Sequence, residues 1–151
     1  MKYGSLFTPL TVGNLTLKNR IVMSPMTRQF SPGGVPTEDV AAYYRRRAEG
    51  GAGLIITEGT GIEDIAALDS PAIPVLYGDA ALAGWKRVVD GVHAAGGRIF
   101  PQLWHQGVLR DARKSDNPDV PGRRPSGLWG RSAITRWPRI ISTRCWSRPG
   151  R

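Results

Sequence analysis

The chain has 151 residues, a mass of 16.5 kDa and a formal net charge of +9. Its 40% hydrophobic and 22% charged residues are ordinary for a soluble globular protein of one domain. No run approaches the ~18 apolar residues of a membrane span, and the first residues lack the apolar core of a signal peptide. A single cysteine, Cys145, excludes an internal disulfide and a multi-cysteine metal site, and it favours a reducing compartment.

The positive charge is concentrated at the C-terminal end of the chain. Residues 1–109 contain 10 Lys and Arg against 9 Asp and Glu, whereas residues 110–151 contain 11 against 3. No acidic residue follows Asp119, and three of the five tryptophans lie in the same stretch. The chain therefore joins two kinds of sequence, an ordinary globular part and a basic tail.

The first segments predict three short strands. Residues 10–17 contain two β-favouring runs around a Gly-Asn pair, and these two residues tolerate the positive φ of a tight hairpin turn. Residues 20–23 form a short apolar run that ends at a Ser-Pro pair, as a buried strand would. Residues 30–36 hold two prolines and two glycines, a composition that predicts a loop.

A first helix is predicted to begin after Thr37, whose hydroxyl can cap its N-terminus, and to end at the glycine pair 50–51. Its apolar side carries Val40, Tyr43, Tyr44 and Ala48. The run over residues 53–59 then predicts a second strand of the main sheet. It is apolar on both faces, as buried parallel strands are.

A loop of about twenty residues follows, and loops of that length in compact domains are usually functional. A second helix is predicted to begin at Asp79 and to end at the glycine pair 96–97. Its core-facing positions recur every three or four residues: Leu82, Trp85, Val88, Val89 and Val92. Residues 98–103 predict a third strand, in which Pro101 removes one ladder donor.

The alternation of strands and helices predicts a parallel sheet joined by right-handed crossovers. Two closures of such a sheet are open at this point, a doubly wound sheet and a (β/α)8 barrel, and periodicity does not choose between them. A dinucleotide-binding doubly wound domain requires a Gly-rich turn directly after its first strand. Residues 24–27 are not such a turn.

Four segments, taken in their order and at their spacing, carry a resemblance to a known family. They are Leu6-Phe7-Thr8-Pro9 with Leu17-Lys18-Asn19-Arg20, then Ile21-Val22-Met23-Ser24-Pro25-Met26-Thr27, then Leu54-Ile55-Ile56-Thr57-Glu58-Gly59, and Gln102-Leu103-Trp104-His105-Gln106-Gly107. Together they resemble the N-terminal part of the Old Yellow Enzyme family of FMN-dependent oxidoreductases. The resemblance is clear to about Leu109 and faint over residues 125–128.

The resemblance implies a partial (β/α)8 barrel, in which residues 1–109 supply the hairpin and about the first three βα units. Residues 110–128 are predicted to be a loop with weak family resemblance, and the composition of residues 129–151 predicts a disordered basic tail. The family's activity is an NAD(P)H-dependent reduction of activated alkenes, such as enones, through bound FMN. The resemblance further implies a cytoplasmic protein, often a homo-oligomer, that has a small-molecule substrate and no membrane partner.

The same resemblance implies six cofactor-binding residues: Ser24, Pro25, Met26, Thr27, Gly59 and Gln102. Thr27 would bind near the flavin N5/O4 edge, Gly59 would leave room beside the ring, and Gln102 would bind the pyrimidine end. All six lie at the carboxyl ends of predicted parallel strands, where barrels build their sites. An amide side chain can both donate to and accept from a flavin edge.

Neighbouring residues have structural interpretations. Glu58 is either functional or a buried carboxylate paired with an arginine such as Arg28 or Arg110. His105 is interpreted as a hydrogen-bonded core histidine. No metal site and no catalytic residue is predicted, because the family's substrate-binding and proton-donating residues, and its groups for the flavin phosphate, lie on later strands. The chain is therefore expected to be an inactive fragment that does not bind FMN tightly.

Residues 130–151 are rich in Arg, Trp and Pro, and they contain no acid and no helical period. We hypothesise a frameshift between about Arg123 and Arg131, which the downstream DNA would reveal. The alternative function is a basic tail that binds nucleic acid, since arginines interleaved with Trp137 and Trp146 could contact phosphates and bases. The tail contains no RNA-binding fold signature, so a nucleic-acid partner is the weaker of the two hypotheses.

Overall fold

The computed structural model describes residues 3–111. The predicted loop over 110–128, all but its first two residues, and the predicted tail over 129–151 lie outside these residues, as do Cys145 and the region of the hypothesised frameshift. Within residues 3–111 no helix is long and apolar enough to cross a membrane.

The predicted hairpin is confirmed. Strand β1 (Leu10–Val12) pairs antiparallel with β2 (Leu15–Leu17), and Leu10 lies opposite Leu17. Gly13 has a φ of 57°, which allows the tight turn between the two strands. A short 3-10 helix, Gly4–Phe7, precedes the hairpin.

The main sheet contains three parallel strands in the order of the sequence: β3 (Val22–Met23), β4 (Leu54–Gly61) and β5 (Arg98–Trp104). β3 is shorter than the apolar run over residues 20–23 that predicted it. β4 extends two residues beyond its predicted end at Gly59. Strands in sequential order are the arrangement of consecutive units of a (β/α)8 barrel. One half of a doubly wound sheet has the same order, so the order of these three strands agrees with both closures that periodicity left open.

Two helices connect the strands. Helix α1 (Glu38–Glu49) begins where the Thr37 side chain accepts from the Val40 N–H, and α2 (Asp79–Ala94) begins after Gly78. One core cluster contains side chains of both helices and Ile55 of β4, so both crossovers cover the same face of the sheet. Its buried members are Val40, Ala41, Tyr44, Ala48, Ile55, Trp85, Val88 and Val92.

One predicted core position is wrong. Leu82 of α2 is 47% exposed, although its spacing places it with the apolar residues of that helix. The helix buries Ala81 and Gly84 instead, and an added Cβ on Gly84 would lie 2.6 Å from the Pro36 carbonyl oxygen. The close approach of the loop before α1 rotates the buried face away from Leu82.

Candidate functional site

The six predicted residues lie on three adjacent segments near the carboxyl ends of the parallel strands. Residues 24–27 follow β3 directly, Gly59 is the third-last residue of β4, and Gln102 is the third-last residue of β5. Gly59 and Gln102 are partners in the strand register. The structure therefore brings these two residues side by side, at the edge where residues 24–27 leave the sheet.

The candidate ligand groups are accessible. Residues 24–27 and Gln102 are all exposed, and Met26 is 63% exposed. No hydrogen bond within residues 3–111 involves the Thr27 hydroxyl or the side-chain amide of Gln102. Two polar groups at one end of the sheet are thus available to a ligand.

Gly59 lies against the indole of Trp104. A Cβ added to Gly59 would be 2.7 Å from Trp104 Cδ2 and closer still to Cε3. The Trp104 indole therefore occupies the space that a Cβ of residue 59 would need. Only glycine at this position allows the two strands to pack with this contact. Trp104 is absent from the predicted site residues. Its position two residues after Gln102, in the same motif, is the sequence feature that could have indicated it.

A bulge in β4 sets the position of Gln102 relative to Gly59 along the sheet. The register between β4 and β5 is irregular between Ile56 and Gly59. There the Gln102 N–H donates to Thr57 Oγ1 at 3.1 Å, so a hydroxyl replaces a carbonyl in the ladder. The Thr57 hydroxyl also contacts Thr60 Oγ1 at 3.2 Å, and both threonines are buried. Bulges of this kind re-aim side chains beside binding sites.

Glu58 is a buried carboxylate with a defined partner. The Arg28 N–H donates to Oε2 at 3.0 Å, and Arg28 Nη2 donates to Oε1 at 2.9 Å. Of the two arginines that the sequence offers, the structure selects Arg28; Arg110 Nε donates instead to the Leu68 carbonyl oxygen at 2.8 Å. The buried ion-pair interpretation of Glu58 is confirmed.

Tyr44 of α1 completes this cluster. Its hydroxyl accepts from the Glu58 N–H at 2.9 Å and lies 3.4 Å from Glu58 Oε1, to which it donates. Burial, the largest cause, and the nearby carboxylate raise the pKa of Tyr44 to about 12. The hydroxyl therefore keeps its proton throughout the neutral range and remains a donor.

The loop between β4 and α2 borders a separate cavity. The cavity has a volume of about 550 Å³ and is lined by residues such as Ile65, Leu68, Val75 and Tyr77. None of the six predicted residues lines it. His105 lies on the loop after β5, where Nε2 is 3.7 Å from Asp64 Oδ2 and Nδ1 accepts from the Gly107 N–H. His105 is half-buried and belongs to this contact between loops, so its interpretation as a core histidine is wrong.

No metal centre is found in the part of the chain that the structure describes, since no three His, Cys, Asp or Glu side chains cluster there. The candidate ligand groups at the strand ends are the Thr27 hydroxyl, the Gln102 amide and the exposed apolar atoms of Pro25 and Met26. These suit a planar, polar-edged organic ligand better than an ion.

The described residues form consecutive units of a parallel α/β sheet, with candidate ligand groups at the strand ends. Residues 5–138 match the model of the NADH:flavin oxidoreductase / NADH oxidase family. The chain belongs to this family. The match includes part of the segment 129–151, and the domain boundaries at 109 and 128 stay predictions.

Individual relatives agree with this assignment. The chain is 43% identical to 12-oxophytodienoate reductase 7 of Oryza sativa subsp. japonica, over 70% of this chain and 26% of the relative. It is 48% identical to chanoclavine-I aldehyde reductase of Penicillium roqueforti, over 68% of this chain and 28% of the relative.

Solved structures share the fold and confirm the partial barrel, of the two closures that periodicity left open. Morphinone reductase in complex with tetrahydroNAD superposes with a TM-score of 0.70 at 44% identity, over 78% of this chain and 31% of that structure. Old Yellow Enzyme from Pichia sp. superposes with a TM-score of 0.73 at 36% identity, over 82% of this chain and 32% of that structure. The chain spans about a third or less of the length of these relatives.

Proposed function

We propose that this chain forms one side of the FMN site of an oxidoreductase that uses NAD(P)H to reduce activated alkenes. The observation that carries the proposal is the register of Gly59 with Gln102, beside the exposed segment 24–27. The 44% identity to morphinone reductase over the same region supports it.

The residues present fit the isoalloxazine ring of FMN. The Gln102 amide can donate to and accept from the pyrimidine edge, while the Thr27 hydroxyl can donate near N5 and O4. Neither group has a competing hydrogen bond within residues 3–111. When bound, FMN supplies hydride transfer between the nicotinamide and the substrate.

The apolar groups of the segment 24–27 would contact the face of the ring. Pro25 and Met26 are exposed at the end of β3, where nothing within the described residues covers them. Burial of their apolar surface would contribute about 25 cal/mol per Å² to the affinity for the ring. Ser24, Pro25 and Met26 are therefore assigned to ring contact, and Thr27 to tuning the flavin.

The whole enzyme is proposed to be a cytoplasmic protein, often a homo-oligomer, that acts on enone-like small molecules. The residues that orient the substrate and donate the proton are assigned to parts of the barrel beyond the three strands described. This chain is accordingly given a cofactor-binding role and no catalytic residue.

A titration of the uniformly ¹⁵N-labelled 151-residue chain with FMN, up to millimolar concentration, tests the proposal. We expect amide shifts concentrated at Ser24, Met26, Thr27, Gly59 and Gln102. Riboflavin, which lacks the phosphate, serves as the matched ligand and should shift the same residues because these contact only the ring. Shifts confined to the cavity lined by Leu68 and Tyr77, or no shifts at all, would contradict the proposal.

A further inference from the structure

Glu58 joins two segments of the proposed site without belonging to either set of ligand groups. It directly precedes Gly59 on β4, and its partner Arg28 directly follows Thr27. The Glu58 side chain is completely buried, and 14% of the Arg28 side chain is exposed. A ligand therefore has no access to the carboxylate, which excludes Glu58 as a proton donor to substrate.

The contact between Glu58 and Arg28 restrains the main chain as well as the side chain. One carboxylate oxygen accepts from the backbone N–H of Arg28 and the other from its guanidinium, at 3.0 and 2.9 Å. Hydrogen bonds to an ionised carboxylate are shorter and stronger than neutral ones. The backbone bond fixes the chain one residue after Thr27.

Helix α1 supports this contact from behind. Tyr44 bonds to both the backbone and the carboxylate of Glu58. The Arg28 guanidinium carbon lies 3.6 Å from the centre of the Tyr43 ring, a distance at which the cation is attracted to the ring face. The arginine is thus held from two directions, by a carboxylate and by an aromatic face.

The chain after Arg28 adopts a conformation that needs such support. Gln29 has a φ of 61°, in the left-handed region that residues other than glycine rarely adopt. Its side-chain oxygen accepts from Ser70 Oγ at 3.4 Å. Strained residues of this kind persist where surrounding contacts over-determine them, and they are frequent beside functional sites.

We propose that Glu58, together with Arg28 and Tyr44, is a positioning group that holds residues 24–27 at a fixed place relative to Gly59. A buried ion pair is weak evidence for stability, because desolvation offsets most of its attraction. Its value here is positional, since it sets where the Thr27 hydroxyl lies. The inference rests on the proposed function, in which this segment contacts the flavin.

Hydrogen exchange by mass spectrometry on the full 151-residue chain, with and without millimolar FMN, tests the inference. Glu58→Gln keeps the shape of the side chain and removes its charge. Glu49→Gln makes the same chemical change on the exposed side of α1 and is the matched control. Peptides covering residues 22–30 report on the site segment, and peptides covering α2 report on global folding.

We expect Glu58→Gln to accelerate exchange of the Arg28 amide, which peptides covering residues 22–30 contain, by about tenfold to a hundredfold, the effect of losing one charge-assisted bond. Exchange in α2 should accelerate much less than exchange in residues 22–30, because the side-chain bonds of Glu58 are to Arg28 and Tyr44 and none is to a residue of α2. FMN should slow exchange in residues 22–30 of the unmodified chain and of Glu49→Gln, and this protection should be lost in Glu58→Gln. Arg28→Lys, which keeps the charge and the backbone bond, should give intermediate values.

Three results would overturn the positioning role. Unchanged exchange over residues 22–30 would show that Glu58 does not restrain them. Equal FMN protection in the unmodified chain and Glu58→Gln would make Glu58 a structural residue without a part in cofactor binding. Acceleration in α2 as large as that in residues 22–30, for both Glu58→Gln and Arg28→Lys, would make the cluster a support of the whole fold. By contrast, an absence of FMN protection in the unmodified chain would contradict the proposed function itself.

Discussion

The two neighbouring strands β4 and β5 contribute to the site in opposite ways. β4 is buried along most of its length, whereas five of the seven residues of β5 are exposed. The polar side chains of β4 from Thr57 to Thr60 are bonded within the protein. The side-chain amide of Gln102 on β5 has no hydrogen bond within residues 3–111. The difference separates residues that are bonded within the protein from residues that we propose to contact the ligand.

This separation has an energetic consequence. A buried polar group that loses its partner retains its desolvation penalty, so substitutions on β4 should lower stability. Exposed side chains at the strand ends contribute little to folding, and substitutions there should change ligand binding with little loss of stability. Variants of the two kinds therefore test whether stability and binding belong to different residues.

The largest expected loss of stability comes from Gly59→Ala, because this position couples the two strands. The new methyl group would overlap the Trp104 indole and force it away from β4. We expect the free energy of unfolding to fall by about 2–3 kcal/mol, as for other overpacked sites. Urea denaturation measures the change. Gly4→Ala, at a position with open space around it, is the control and should change stability by less than about 0.5 kcal/mol.

Tyr44→Phe should have the next largest effect, because it leaves the buried Glu58 N–H without a partner. We expect a loss of about 1–2 kcal/mol at neutral pH. Tyr77→Phe, an exposed tyrosine on the loop before α2, is the control and should leave the unfolding curve in place. A loss no greater than that of the control would remove Tyr44 from the group that holds the site.

The same tyrosine predicts a pH dependence. The pKa of Tyr44 is raised from 10.0 to about 12, mainly by burial, so the folded state favours the protonated hydroxyl. Its contribution to stability is fully present below pH 10 and is lost as the pH rises towards 12. Between these limits the unmodified chain should lose more stability than Tyr44→Phe does. Equal slopes in denaturation series across this window would contradict the assignment.

A smaller effect is expected for Thr57→Val, which removes the acceptor of the Gln102 N–H but keeps the shape of the side chain. The free energy of unfolding should fall by about 1 kcal/mol, the value of one neutral hydrogen bond. The backbone N–H of Gln102 should also exchange faster with solvent. Thr11→Val, on the exposed hairpin, makes the same chemical change and should leave Gln102 unaffected.

Much of the fold could be predicted because its signals are local. Thr37 and the glycine after Glu49 mark the ends of α1, and the hairpin turn is encoded by Gly13 and Asn14. These features depend on residues a few positions apart. The position of Leu82 was predicted wrongly because the close approach of a distant loop, rather than its own helix, decides which face is buried.

The site was harder to predict in full because its contacts join distant segments. The motifs locate Thr27, Gly59 and Gln102, but they do not show which arginine pairs with Glu58. That pairing depends on where Arg28 lies in the fold, 30 residues away along the chain. The contact of Trp104 with Gly59 is likewise a property of the strand register, which periodicity alone does not determine.

The central claim is that the exposed Thr27 contacts the flavin, while the buried strand β4 holds the segment that contains Thr27 in place. The most direct measurement uses a chimera in which residues 5–111 replace the matching part of morphinone reductase. Its flavin reduction potential is measured with and without Thr27→Ala. We predict that both proteins bind FMN, that the potential shifts in Thr27→Ala, and that stability changes by less than about 0.5 kcal/mol. A folded chimera without FMN, or an unchanged potential, would contradict the claim.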